Sequence, residues 1–248
     1  MKKSTKTLII FFVIILAVIA TSLVFVFKNS NKPSPNEITS EPETQEIITT
    51  DDEEPIDIEM SADIDLTATR KKYQNNDIVG RLEIPGLFNI IIVQGKDNSY
   101  YLDRSVTKKK DNKGTEFMDY RNTVSDKQIN IYGHNSRTYN IPFRKLENFK
   151  NKDYFDNHEF IIFQTIEGKR IYRILSIKEV SGVFEHMKIN KEGEEFVKHI
   201  EIMKNNALHS RDLKYDENSN LLVLQTCSYG KKKTYYVITA IEIKNYTY

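Results

Sequence analysis

The chain of 248 residues carries 36 Lys and Arg against 35 Asp and Glu, so its formal net charge at pH 7 is only +1. Its lysines are scattered and are not interleaved with aromatic residues, which excludes a basic nucleic-acid-binding patch of the usual kind. A single cysteine excludes a disulfide within the chain.

The N-terminus has the pattern of a membrane segment. Residues 1–27 begin with a cluster of lysines and continue as an uncharged apolar run over residues 8–27. A spanning helix needs about 20 apolar residues, and positive charge tends to stay in the cytoplasm. The pattern predicts a retained signal anchor with the rest of the chain outside. A cleaved signal peptide is the alternative, although the apolar run continues past the cleavage context at residues 18–20.

An acidic segment follows the predicted anchor. Residues 28–65 carry about 12 acidic residues against Lys28 and Lys32, together with most of the prolines and no aromatic residue. Such a composition cannot bury enough apolar surface to offset the entropy lost on ordering. The sequence therefore predicts a disordered stalk that holds a domain away from the membrane.

Residues 66–248 are long enough for one domain, with a net charge of about +8 that suits an anionic cell wall or lipid headgroups. A short helix is predicted over 66–75 and a long one over 190–207, where apolar residues recur at helical spacing. Strands are predicted over 77–86, 89–95, 114–121, 128–134, 159–165, 169–180, 220–226 and 234–243. Seven or eight short strands with turns between them predict a closed barrel or a sandwich.

The only cysteine, Cys227, ends a predicted strand and precedes a short basic turn. A lone cysteine outside the cell is a buried inert side chain, an intermolecular cross-link or a reactive thiol. The end of a strand holds a reactive group rigidly and within reach of solvent. Because the thiolate is the nucleophilic form of cysteine, Cys227 is a candidate nucleophile.

A histidine could supply charge or proton transfer to that thiol. Of the five histidines, only His134 closes a predicted strand and enters a polar turn. Gly133 is expected to let the backbone turn tightly there, and Asn135 is a turn former. His158 and His199 are expected at the surface. A histidine at a strand end is also compatible with a plain hydrogen-bonded polar residue, so both interpretations stay open.

Four blocks of the sequence resemble the sortase family. They are QGKDNSYYLDRS (94–105), GTEFMDYRN (114–122), YGHN (132–135) and LQTC (224–227). The resemblance is to class B, whose members carry a long helix between the last strands, and it covers most of residues 66–248. It implies a sortase-type closed β-barrel of seven to eight strands, with a leading helix and a long helix inserted before the last two strands.

The resemblance also implies an activity. A class B sortase is a membrane-tethered cysteine transpeptidase, here with Cys227 as the nucleophile and His134 as the acid and base. It would cleave a C-terminal sorting signal of a secreted protein after a Thr, in a motif with an Asn-Pro or Ser-Pro start. An amine of the peptidoglycan cross-bridge would then take the acyl group. The implied location is the cell membrane of a Gram-positive-type bacterium, with the catalytic domain facing the cell wall.

One position departs from the family pattern. Sortases carry an arginine at the start of the last strand, where this chain has Tyr235. A tyrosine hydroxyl can donate one hydrogen bond but has no fixed positive charge and no fork of donors. The groups that the sequence offers instead are the Tyr235 hydroxyl, the Ser228 backbone N–H, Lys233 with its neighbours Lys231 and Lys232, Arg121 and Arg137.

Three alternatives stay open at the level of sequence. The chain could be a catalytically silent sortase fold that binds sorting signals or organises surface-protein assembly, a hydrolytic cysteine peptidase on the same fold, or a protein whose cysteine is only structural. Asp97, Asp103 and Asp119 lack the spacing of a metal-binding loop. We therefore expect no metal and no cofactor, and no nucleic-acid partner.

Overall fold

Strands dominate the part of the chain that the structure describes. The structure is a computed structural model that describes residues 34–38, 42–48, 56–227 and 234–248. The predicted signal anchor, residues 1–27, lies outside these residues and stays a prediction. Within the described residues, no helix is both long enough and apolar enough to span a bilayer.

The elements follow one another in an order close to the predicted one. The strands are β1 (Pro42–Ile48), β2 (Ile56–Ser61), β3 (Ile78–Ile84), β4 (Phe88–Val93), β5 (Phe117–Met118), β6 (Gln128–Gly133), β7 (Phe160–Thr165), β8 (Gly168–Ser181), β9 (His209–Ser210), β10 (Leu221–Cys227) and β11 (Thr234–Thr247). The α-helices are α1 (Leu66–Tyr73), α2 (Lys152–Asn157) and α3 (Gly193–Lys204). Shorter 3₁₀ helices occupy Tyr100–Asp103, Pro142–Lys150 and Glu185–Met187.

Eight of these strands close into a barrel. Their order around the barrel is β11-β10-β6-β5-β4-β3-β7-β8, and β8 pairs again with β11 to close the ring. The two long strands form this seam along their length, from the pair Thr234 and Ser181 to the pair Thr247 and Gly168. β9 is an additional strand that pairs with β8. The closed barrel, the leading helix α1 and the helix α3 before the last two strands confirm the predicted fold.

Strand β10 lies between two apolar layers. Leu222 and Leu224 pack into the cluster that fills the barrel. Leu221 and Val223 point to the opposite face and pack into a second cluster, which includes residues of α3. Because both faces are covered, the strand has a continuous apolar run rather than an alternation with polar residues.

Helix α3 covers the outside of the barrel with its predicted apolar stripe. Phe196, Ile200 and Met203 are all buried in the outer cluster. His199 on the same helix is also buried, at 1% exposure, so the expectation that it lies at the surface was wrong. Its ring nitrogens are hydrogen-bonded to Glu185 and Gln128, and these hydrogen bonds offset the free-energy cost of burying a polar ring.

The predicted stalk, residues 28–65, differs from a disordered tether wherever it is described. Strand β2 pairs with β1, and Ile58 and Met60 are buried beside the barrel. The backbone N–H of Ser61 donates to Glu83 at 3.0 Å. An alternation of apolar and acidic residues over 56–60 explains the difference, because composition averages out this short strand pattern. The proposed boundaries of the domains stay a prediction.

An earlier part of the same segment lies on the edge of β4. Asn36 and Glu37 follow the strand, with the Ile91 N–H donating to the Asn36 carbonyl at 2.9 Å and a bridge between Glu37 and Ile90. Strand β5 pairs with β4 at a single position, Val93 with Phe117. Residues 34–38 therefore cover backbone groups of β4 that the short β5 leaves exposed.

Candidate active site

Three strand ends meet at one end of the barrel. In the parallel pair of β6 and β10, Gly133 lies opposite Thr226. His134 and Cys227 are the next residues on these two neighbouring strands. In the antiparallel pair of β10 and β11, Cys227 lies opposite Tyr235. The backbone register thus brings together the predicted nucleophile, the predicted acid and base, and the residue at the expected arginine position.

The ring of His134 is held by backbone groups of the preceding loop. Its Nε2 lies 2.6 Å from the carbonyl oxygen of Leu102. A carbonyl oxygen only accepts hydrogen bonds, so Nε2 carries a hydrogen. Among the described residues no group is hydrogen-bonded to Nδ1, which leaves this nitrogen available for proton transfer.

The loop that holds His134 is itself fixed by a set of backbone contacts. The Thr115 N–H donates to the Tyr101 carbonyl at 3.0 Å, and the Thr115 hydroxyl donates to the Arg104 carbonyl at 2.8 Å. Gly114 has a φ of +66°, and a Cβ there would lie 2.8 Å from the Leu102 carbonyl oxygen and 2.9 Å from the His134 ring. Sequence reasoning missed Leu102 and Gly114, although both lie in the blocks that carry the family resemblance.

Gly133 has a different role from the predicted one. It is not among the glycines with a positive φ, so the expectation of a tight turn there was wrong. A Cβ at this position would lie 2.5 Å from the ring of Phe143 and 2.8 Å from Glu116. The missing side chain makes room for Phe143, a residue of the barrel core.

Glu116 is a buried carboxyl beside the strand that leads to His134. Burial raises its pKa to about 7, although hydrogen bonds from the Asn36 side chain and the Phe143 backbone favour the ionised form. The Asn36 amide lies 2.5 Å from the carboxylate. The segment expected to be a stalk therefore supplies the polar partner of a group that supports the site. No feature of the local sequence indicated this pair.

Tyr235 lies across the ladder from Cys227, and its ring packs against the outer cluster. Directly opposite residues of an antiparallel pair project from the same face of the sheet. The ring is partly buried against this cluster, which includes Val180 and Val237. Tyr235 is therefore in position beside Cys227, as expected from the alignment, and its role stays a prediction. Ser228 and Lys233, together with Lys231 and Lys232, lie outside the described residues.

The two arginines considered as substitutes have partners elsewhere. The Nε and Nη2 atoms of Arg121 donate hydrogen bonds to the two carboxylate oxygens of Asp119, at 2.9 Å and 2.7 Å. Burial opposes the ionisation of Asp119, but the hydrogen bonds from Arg121 and from Tyr132 outweigh it and hold its pKa below the usual range. Arg137 lies close enough to Glu147 to contribute to the lowered pKa of that carboxyl, where burial is again the opposing effect.

No group of three or more His, Cys, Asp and Glu side chains is placed to hold a metal ion, as far as the described residues go. The chemistry that the arrangement offers is that of a thiol with a histidine on the neighbouring strand. Such a pair supports nucleophilic acyl transfer.

Comparison with known proteins points to one family. No protein-family model matches the chain. Sortase B of Listeria monocytogenes is 28% identical over 161 residues, which are 63% of this chain and 65%, or just under two thirds, of the length of that protein. Sortase B of Staphylococcus aureus is 26% identical over 176 residues, which are 68% of this chain and 72% of that protein.

Solved structures agree with these sequence similarities. The X-ray structure of sortase B from Clostridium perfringens superposes with a TM-score of 0.66 and 26% identity, over 72% of this chain and 100% of that one. A sortase B–substrate complex from Staphylococcus aureus has a TM-score of 0.64 and 23% identity over 72% of this chain, and shows the same fold. With its closed eight-stranded barrel and its helix inserted before the last two strands, the chain is similar to class B sortases in both sequence and fold.

Proposed function

We propose that the chain is a cysteine transpeptidase that anchors secreted proteins to the cell wall. It would cleave a C-terminal sorting signal after a Thr and pass the acyl group to an amine of the peptidoglycan cross-bridge. The observation that carries the proposal is the register of β6, β10 and β11, with His134 and Tyr235 on the strands that flank Cys227. Similarity to sortase B in sequence and in fold supports the same chemistry.

The first half of the reaction forms a thioester. The Cys227 thiolate attacks the carbonyl carbon of the substrate Thr, and the C–N bond between this residue and the next one breaks. The leaving amine takes a proton from His134, which begins this step as an imidazolium. Since Nε2 is bonded to the Leu102 carbonyl, Nδ1 is the nitrogen that delivers the proton.

The second half transfers the acyl group. The acceptor amine attacks the thioester carbonyl, His134 takes the proton that this amine loses, and the C–S bond breaks to release the Cys227 thiolate. The new amide bond joins the secreted protein to the acceptor. Two steps through a thioester replace one difficult amide exchange.

Stabilisation of the oxyanion is the part for which this chain departs from its family. We assign it to hydrogen-bond donors near Cys227: the Tyr235 hydroxyl, the Ser228 backbone N–H and the Lys233 ammonium. Loss of one such donor costs about 10²–10³ in rate in other enzymes. The position of Tyr235 opposite Cys227 supports its inclusion.

The location follows from the proposed anchor. Residues 1–27 would hold the enzyme in the cell membrane with its catalytic domain facing the cell wall. Its partners would then be secreted proteins with a sorting signal and the amine of the cross-bridge. A Staphylococcus aureus sortase B has been solved as a complex with its substrate.

The test is intact-protein mass spectrometry of the full chain with a pool of peptides that have Asn-Pro or Ser-Pro starts and a Thr. We expect a mass gain equal to the acyl portion, absent in Cys227→Ala. Addition of an amine should discharge the adduct into an amide product. A discharge by water alone, unaffected by the amine, would instead identify a hydrolytic peptidase.

A second candidate function follows from Tyr235. A sortase fold without the arginine could bind sorting signals without turning them over. Peptides that bind the folded wild-type chain and form no adduct across the pool would favour this silent binding protein. An equal response of wild type and Cys227→Ala in all assays would indicate that the cysteine is structural.

A further inference from the structure

A short stretch of chain crosses the outer face of the strands that carry the proposed catalytic residues. We call residues 182–187 the crossing segment. It leaves β8 at Ser181, which pairs with Thr234 at the start of β11. It ends at Met187, whose carbonyl accepts a hydrogen bond from Arg121 at 3.3 Å. No strand pairing joins these described residues to β10 or β6, so the segment is attached through hydrogen bonds that involve side chains.

The backbone of His186 is the first attachment. Its carbonyl oxygen accepts hydrogen bonds from the amides of Gln128 at 2.9 Å and Asn130 at 2.7 Å. Both are residues of β6, two positions apart, so they project from one face of the strand. Further along the same alternation lies His134. The crossing segment is thus bonded to the strand that leads to the proposed acid and base.

The ring of His186 is the second attachment. The side chain is fully buried, and its Nε2 is hydrogen-bonded to the side-chain oxygen of Gln225. Gln225 is a residue of β10, two positions before Cys227. The Nδ1 of His186 is buried and has no hydrogen-bond partner among the described residues. The neutral ring with hydrogen on Nε2 therefore fits this position, and an additional N–H would be left unsatisfied.

Helix α3 fixes the orientation of this network. The Gln128 amide nitrogen donates to the His186 carbonyl and to the Asn130 side-chain oxygen, so its own side-chain oxygen must face His199. His199 meets this oxygen through Nε2 at 2.7 Å and meets Glu185 of the crossing segment through Nδ1 at 3.1 Å. These hydrogen bonds together fix the orientation of the Gln128 side-chain amide.

We propose that His186 is a positioning residue that seats the crossing segment on β6 and β10 and so sets one edge of the peptide site. Val183 of this segment is 85% exposed, whereas Phe184 packs into the outer cluster. Val183 lies two residues beyond Ser181, which pairs with the first residue of β11, and its exposed side chain would offer an apolar contact to a peptide bound at Cys227. The inference rests on the proposed function, because the ligand is the sorting peptide.

The experiment uses the full chain and a peptide that acylates Cys227. For His186→Ala we expect the half-saturating peptide concentration to rise about tenfold, with the maximal acylation rate changed less than about threefold. The fold-change corresponds to one lost buried hydrogen bond. Gln225→Ala should behave in the same way. The half-saturating concentration of the double variant should not exceed that of the more strongly affected single variant, because both substitutions remove the same interaction. His186→Gln restores a donor for Gln225 and should recover most of the loss.

A matched control separates positioning from simple loss of stability. His158 is a partly buried histidine whose Nδ1 contacts the Tyr154 carbonyl at 2.9 Å, outside the proposed site. His158→Ala should leave the half-saturating peptide concentration unchanged when its melting temperature equals that of His186→Ala. If His186→Ala and His158→Ala give the same half-saturating concentration, His186 is only structural and the inference is overturned.

Hydrogen exchange provides a readout that needs no turnover. In His186→Ala the backbone amides of residues 182–187 should lose protection, while those of β3 should not. Unchanged protection at the crossing segment overturns the inference whatever the peptides do. Loss of protection together with an absence of any acyl adduct in wild type overturns the proposed function and leaves the seating by His186 supported.

Discussion

The two sides of the proposed site are built from different materials. On the His134 side, the ring is positioned by a backbone carbonyl and a glycine, Leu102 and Gly114, in a loop held by further backbone bonds. On the other side, Tyr235 is a side chain packed on an apolar cluster. Backbone geometry leaves little room for substitution, whereas a side chain on a cluster can be exchanged. We therefore expect substitutions on the Tyr235 side to be tolerated better than substitutions in the loop that holds His134.

The largest expected effect comes from the rigid side. His134→Gln keeps an N–H that can donate to the Leu102 carbonyl but cannot exchange a proton. We expect acylation to fall by about 10²–10⁴, the usual contribution of a general acid or base. Single-turnover mass spectrometry of the Cys227 adduct measures this. His158→Gln is the matched control and should keep the wild-type rate. Wild-type acylation in His134→Gln would remove the histidine from the mechanism.

A substitution at Tyr235 is expected to raise the acylation rate. Tyr235→Arg introduces a charged fork of donors opposite Cys227, and we expect acylation to rise by about 10–100-fold, in proportion to the value of one oxyanion donor. Tyr235→Phe removes the hydroxyl and should lower the rate by about tenfold. The same single-turnover assay reads both. Equal rates in all three proteins would mean that other donors, such as the Ser228 N–H, already stabilise the oxyanion.

Two glycines test whether the backbone of the histidine side is as rigid as proposed. Gly114 and Gly86 have similar φ values, +66° and +71°, but a Cβ at Gly86 meets nothing within 4 Å. Alanine at Gly86 should cost about 1 kcal/mol in the free energy of unfolding through backbone strain. Alanine at Gly114 should cost more, because its Cβ would also lie 2.8 Å from the Leu102 carbonyl oxygen. Only Gly114→Ala should also slow acylation, by about tenfold, because its methyl group displaces the His134 ring. Denaturant unfolding and acylation are measured together, and equal acylation in both variants contradicts the proposed loop.

A smaller effect concerns pH and the crossing segment. Burial lowers the pKa of His186. The unfolded chain then binds more protons than the folded one at mildly acidic pH, so stability rises with pH. This contribution is present above about pH 6.5 and is lost as the pH falls below it. Urea unfolding at pH 7.5 and pH 5.5 should show a weaker pH dependence in His186→Gln than in wild type.

A pH effect of the opposite sign belongs to Glu116. Burial raises its pKa from 4.5 to about 7, so the folded chain binds more protons than the unfolded one between these values. The stability that this group contributes is highest below pH 4.5 and falls as the pH rises to about 7. Glu116→Gln should therefore gain stability relative to wild type across that window. A constant difference between the two proteins at all pH values would contradict the raised pKa.

Much of the fold followed from local patterns in the sequence. The alternation in β6, β7 and β8 predicted strands, and the spacing of Phe196, Ile200 and Met203 predicted the buried stripe of α3. The four sequence blocks indicated the family, and with it the barrel. These signals were sufficient because each depends on residues that are near one another in the chain.

The remaining features depend on contacts between distant residues. The Leu102 carbonyl that orients His134 is a backbone group, so no residue type marks it. Asn36 and Glu116 meet across 80 positions, and the reason for Gly133 lies in the ring of Phe143. The burial of His199 depends on Gln128, 71 positions away. Periodicity and composition carry no information about such pairs, which the closure of the barrel creates.

The strand-like contact of residues 34–38 with β4 fixes the point at which the N-terminal part of the chain reaches the barrel. If the membrane anchor ends at Phe27, the free chain between it and the first docked residue, Ser34, can span at most about 25 Å. A tether made of all of residues 28–65 would allow a wide search volume. With such an anchor, the docked segment would keep the barrel within this distance of the bilayer, and a substrate would have to reach the proposed site at a nearly fixed height.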